Sequence, residues 1–150
     1  MDLYVFDYTE RQPRLIQEMR SYHGRILKAD HTRPLAEKVG TEAGVKWSYS
    51  IMNEYGEVIS HAFTETDGDA QVKDLLVGLK RRYDSLSEPY PALCYIDKSC
   101  CGSTATMIKD VFGNGIHIRV DPFHILWRFS RSCSRSSHPG HGSFMQEMAQ

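Results

Sequence analysis

The apolar positions change period along the chain, and each change marks an element. Val45, Trp47, Tyr49 and Ile51 alternate with Lys46, Ser48 and Ser50, so 45–52 reads as a strand with one buried face. Gly56 supplies a turn, and 57–65, "EVISHAFTE", returns as the second arm of a hairpin. The period then lengthens. Val72, Leu75, Leu76, Leu79, Tyr83 and Leu86 fall at helical spacing, with Asp67 or Asp69 placed to cap the helix. The continuous apolar run 91–96 predicts a strand buried on both faces, ending at Asp97. A helix is expected over 103–112, with Met107, Ile108, Val111 and Phe112 inward and "GNG" at 113–115 as its stop. Ile116, Ile118 and Val120 make a further strand ending at Asp121, and Phe123, Leu126 and Trp127 begin a last helix. Upstream, Leu15, Ile16, Met19 and Tyr22 share a helical face over 10–22, with Pro13 suited only to the first turn. "RILKAD" at 25–30 is a short strand ending at Asp30.

Hairpin strands followed by strands alternating with helices predict an α/β fold with a mixed sheet. The expected organisation is a helical segment over 1–23, the core over 24–130, and a tail over 131–150. The tail is rich in Ser, Gly and His without an apolar period, and is expected to be disordered.

Composition narrows the function classes. With 150 residues, 41% hydrophobic and 25% charged, the chain has the make-up of one soluble globular domain. A net charge of −1 gives no strong basic field for nucleic acid or membrane. No apolar run approaches a membrane span, and the N-terminus lacks the pattern of a signal peptide. Cys94, Cys100, Cys101 and Cys133 show no secreted spacing, which predicts a reducing compartment, nuclear or cytoplasmic.

The candidate chemistry lies at the strand ends. In open α/β sheets ligands collect beyond the carboxyl ends of the strands. If the strands ending at Asp30 and Asp97 are neighbours, two carboxylates meet at one edge. Such a pair repels unless a cation sits between its members, and Mg²⁺ favours these hard oxygen ligands. Two such ions, roughly 3.5–4 Å apart, can activate water for phosphodiester cleavage. The plainer alternative is that each Asp caps a loop or helix.

"LKADHT" at 27–32, "CYIDKSCC" at 94–101 and "VDPFHILWR" at 120–128, in that order around a hairpin and a helix, resemble the catalytic core of eukaryotic DDE/DDD transposases. The resemblance implies a ribonuclease H-like mixed sheet flanked by helices, incomplete at its C-terminus. It implies catalytic, metal-binding roles for Asp30 and Asp97, with Mg²⁺ or Mn²⁺ as cofactor and DNA as partner. Asp121 and His124 match the family's accessory signature of an acid or Cys, two residues, then His. The family's third acid, usually Glu on a later helix, has no clear counterpart; Glu147 is the only late acid. The expectation is therefore a partial transposase-like domain, inactive as it stands, with oligomerisation left open. Alternatives are a non-catalytic nucleic-acid- or protein-binding remnant and, ranked last, a 3′–5′ exonuclease. Such exonucleases carry a Glu two residues after the first Asp, where this chain has Thr32.

Within "DPFH", Asp121 also fits the N-cap of the last helix, Pro122 its first position and His124 its third. Weaker signals remain. Cys133, His138 and His141 have zinc-ligand chemistry without a firm spacing. Cys100 and Cys101 read as small buried residues at a helix start. "LKRRYD" at 79–84 reads as a solvated helix face, and Arg128, Arg131 and Arg135 lie in an acid-free stretch open to weak nucleic-acid contact. Trp47 and Trp127 read as core or partly buried aromatics.

Overall fold

The alternating and helical periods both become regular structure in the computed structural model, which describes residues 2–32, 46–133 and 138–148. In chain order the elements are α1 (Leu3–Ser21), β1 (Ile26–Thr32), β2 (Trp47–Met52), β3 (Val58–Thr64), α2 (Asp69–Leu86), β4 (Leu93–Ile96), α3 (Ser103–Phe112), β5 (His117–Val120), α4 (Pro122–Cys133) and α5 (His141–Met148). Val45, expected to open the second strand, lies outside the described residues.

The fold is α/β. Among the described residues, five strands form one mixed sheet in the order β3-β2-β1-β4-β5. The pairs β1/β2 and β2/β3 are antiparallel, and β1/β4 and β4/β5 are parallel. Leu27 and Ala29 of β1, Ile51 of β2 and Ile96 of β4 join Leu76 of α2 and Ile108 of α3 in one buried core. Period 2 places Lys28, Asp30 and Thr32 on the other face, where they are exposed or half-buried. The expectation that 91–96 is buried on both faces is corrected accordingly. Cys94 and Ile96 are buried, whereas Leu93 and Tyr95 are half-buried.

Two further expectations change. The first helix starts at Leu3 rather than near residue 10, because the Asp2 side chain caps it by accepting from the Tyr4 N–H. Pro13 therefore sits inside the helix, and Leu15, Ile16 and Met19 stay exposed. The 131–150 segment, expected to be disordered, carries the end of α4 and all of α5. Local bonds start α5: the Gly140 N–H donates to His138 Nδ1 and the His141 N–H to the His138 carbonyl. No residue of α5 is buried.

The amino edge of the parallel strands is locked to the hairpin. Gly24 approaches the hairpin so closely that a Cβ there would lie 2.6 Å from the Asn53 Cβ. The buried Tyr83 hydroxyl donates to the Gly24 carbonyl at 2.6 Å and accepts from its N–H at 3.0 Å.

Candidate functional site

Strand register builds the site. Ala29 pairs with Ile96, and Ile96 pairs with Val120, on three adjacent parallel strands. Asp30, Asp97 and Asp121 each come one residue later, so three aspartates stand at one level of the sheet. The Asp121 N–H donates to the Ile96 carbonyl at 2.9 Å, which carries the ladder one step beyond β5. Adjacent strands lie about 4.8 Å apart, so the backbones at these three positions are neighbours. Asp97 and Asp121 follow their strands, as expected. Asp30 lies inside β1, which runs on to Thr32.

α4 brings the histidine. The Asp121 carbonyl accepts from the Ile125 N–H at 3.1 Å, which makes Asp121 the N-cap residue and Pro122 the first helical position. The described partner of its carboxylate, however, is a side chain: Asp121 Oδ2 lies 3.0 Å from His124 Nδ1. The other ring nitrogen, Nε2, lies 3.7 Å from Asp30 Oδ1. His124 thus stands between two members of the acid row. Asp30 Oδ2 accepts from the Thr32 hydroxyl at 3.0 Å. One turn along α4, Arg128 Nη2 donates to the Asp97 backbone carbonyl. The arrangement is a carboxylate–imidazole–carboxylate chain, open to solvent at Asp30, whose side chain is 49% exposed.

Among the described residues, no three His, Cys, Asp or Glu side chains are grouped to hold a metal ion. The imidazole of His124 fills the interval between Asp30 and Asp121. Asp30 and Asp97 alone would supply two of the six oxygens of an octahedral ion and leave the rest to water. That donor set suits a loosely held cation, not a positioned pair of ions.

Neighbouring residues missed in the sequence organise the loop after Asp97. Asp69 begins α2 behind Gly68, which is the N-cap residue, so Asp69 does not cap its own helix. Its carboxylate accepts from the Ser103 hydroxyl at 2.5 Å and the Thr104 hydroxyl at 2.6 Å, at the start of α3. Lys98 Nζ lies 3.4 Å from the same carboxylate and also donates to the Asp67 carbonyl. Burial opposes the charge of Asp69, but the two hydroxyl bonds and Lys98 outweigh it and hold its pKa below the usual range. His31 points to the core face, as period 2 requires of the residue after Asp30. Its ring lies 4.4 Å from that of Tyr49, and among the described residues neither ring nitrogen has a partner. Burial, opposed by the charge of Asp97, lowers its pKa. The period of the strand was the signal that could have found His31. Local sequence marked Asp69 only as a helix cap, because Ser103 and Thr104, the hydroxyl donors to it, lie more than thirty residues away.

The weaker candidates divide. His138 is used at the start of α5, and the Cys133 side chain and Arg135 lie outside the described residues. "LKRRYD" is not simply a solvated face: half-buried Arg82 donates to the Ile59 carbonyl at 2.5 Å. Arg131 lies over the Trp127 ring, 4.9 Å from its centroid. Trp127 is 46% exposed and Phe123 68%, whereas Ser130 is buried, so the expected inward face of α4 is displaced. Cys100 is half-buried but Cys101 is exposed, contrary to the expectation of two buried residues. Glu147 is exposed on α5.

The chain matches no protein-family model and no curated protein sequence. No helix among the described residues is long and apolar enough to cross a membrane.

Proposed function

We propose that this chain is a partial ribonuclease H-like domain of the DDE-transposase kind, whose ancestral chemistry is metal-dependent DNA strand cleavage and transfer, inactive as it stands and holding Mg²⁺ or Mn²⁺ loosely at Asp30 and Asp97. The observation that carries the reading is the row of Asp30, Asp97 and Asp121 at one level of three adjacent strands. The antiparallel-then-parallel strand order supports the same reading. Phosphoryl transfer by paired metals needs more oxygen ligands than two aspartates supply. The 150-residue chain is therefore expected to bind a cation without nicking duplex DNA.

A second reading, non-catalytic binding of nucleic acid or protein, is favoured by the placement of His124 inside the acid row. The two separate in one experiment. Paramagnetic Mn²⁺ is titrated into isotope-labelled protein while amide signals are followed. The first reading expects broadening centred on residues 30, 97 and 121, abolished in Asp30→Ala and Asp97→Ala. Absence of such broadening in both the wild type and His124→Ala removes the cation reading and leaves the second. Metal-dependent nicking by the wild type that disappears in Asp30→Ala would show instead that the site is complete.

A further inference from the structure

Cys100 and Cys101 occupy the two central positions of a turn closed by the Gly102 N–H on the Ser99 carbonyl, at 3.1 Å. The turn sets the two sulfurs 3.7 Å apart, close enough for one thiol to donate to the other. Cys101 is exposed, and Cys100 packs partly against the core. Cys94, by contrast, is buried. The pair lies on the segment joining Asp97 to α3, whose ends are held by Lys98 on Asp69 and by Ser103 and Thr104 on the same carboxylate.

We propose that Cys100 and Cys101 form a reversible vicinal disulfide, with a peroxide as the oxidant. The exposed Cys101 sulfur attacks the peroxide and becomes a sulfenic acid, releasing one water. The Cys100 thiol then attacks that sulfur, the S–O bond breaks, and a second water leaves. Two thiols lose two electrons and two protons to one peroxide, which becomes two waters. Closure requires the sulfurs to approach from 3.7 Å to about 2.05 Å. Adjacent Cα atoms are only about 3.8 Å apart, below the usual disulfide span of about 4.4–6.8 Å. The resulting ring is strained and readily reduced, as labile disulfides are. The hydrogen bond that the Cys101 thiol can donate to the Cys100 sulfur, and the charge of a Cys100 thiolate beside it, hold the Cys101 thiol above its ordinary pKa, so ring formation quickens as pH rises. Closure must also reset the turn, and with it the backbone between Asp97 and α3.

The sequence makes the test specific. Trypsin cuts after Lys98 and Lys109, and the peptide between them contains Cys100 and Cys101 and no other cysteine. The whole chain is treated with hydrogen peroxide, blocked with iodoacetamide, digested and weighed. The expected result is a 99–109 peptide that has lost two hydrogen atoms and carries no alkyl group, restored by dithiothreitol before blocking. The Cys100→Ser and Cys101→Ser variants should lose this species, and thermal melting of each establishes that it folds. Three outcomes overturn the proposal: both cysteines alkylated after peroxide, Cys101 over-oxidised while Cys100 is alkylated, or a disulfide-linked dimer through Cys101.

Discussion

The two edges of the parallel strands are built on opposite terms. At the amino edge, the polar groups of the hairpin anchor are paired. Asn53, 1% exposed, donates to the His23 carbonyl and Glu57, and accepts from the N–H groups of Tyr55 and Glu57. The Glu54 carboxylate accepts from the N–H groups of Arg25 and Ile26. At the carboxyl edge, among the described residues, the ring nitrogens of His31 and the hydroxyls of Tyr49 and Thr64 have no hydrogen-bond partner. An unmade bond of this kind costs roughly 1–3 kcal/mol. One edge thus carries paired polar groups, and the other, among the described residues, carries unpartnered ones and an acid row.

The largest expected effect breaks the amino edge. Tyr83 is fully buried and bonds Gly24 twice through its hydroxyl. Tyr83→Ala should cost about 4 kcal/mol in urea unfolding. Tyr83→Phe, which leaves the Gly24 groups unpartnered but fills the cavity, should cost about 2 kcal/mol. Equal losses in the two variants would mean that the hydroxyl bonds, not the ring packing, hold that edge.

At the other edge the effects should be smaller. Trp127 is 46% exposed, so Trp127→Ala should cost only about 1 kcal/mol in the same measurement, rather than the larger loss of a buried ring. A loss near that of Tyr83→Ala would show that α4 anchors the carboxyl edge as firmly as the hairpin anchors the amino edge.

The smallest effect is confined to a pH window. Burial, opposed by Asp97, holds the His31 imidazole below its ordinary pKa of 6.5. The unfolded chain therefore takes up the proton first. The stability linked to neutral His31 is complete above pH 6.5 and is lost as pH falls toward the folded value. Melting temperatures of the wild type and His31→Phe, compared across that range, should separate toward the acid end, the wild type falling relative to the variant. Parallel pH profiles would show that His31 does not couple the carboxyl edge to protonation.

Much of the fold was legible because it rests on local period. The α3 helix falls on its expected 103–112, since apolar spacing and the glycine that follows it are both written within ten residues. The α1 boundary was misread because a single capping side chain, Asp2, outweighed the position of Pro13. In the site, the strand over 25–30 was readable, but its end was placed at Asp30, so His31 was not read as a core-face residue. It carried no information about which strand would lie beside β1. α4 shows the same limit: its start at Pro122 was readable, but not the rotation that leaves Phe123 and Trp127 outward.

By itself, the sequence determined the α/β class, the hairpin, and the placing of aspartates just past two strands, because periodicity and capping act over a few residues. Only the tertiary structure decided that Asp30, Asp97 and Asp121 share one level, that His124 stands between two of them, and that Asp69 ties α2 to α3. These depend on the register of strands distant in sequence and on how a helix turns over the sheet. Register is set by the packing of the whole core, which no short segment contains.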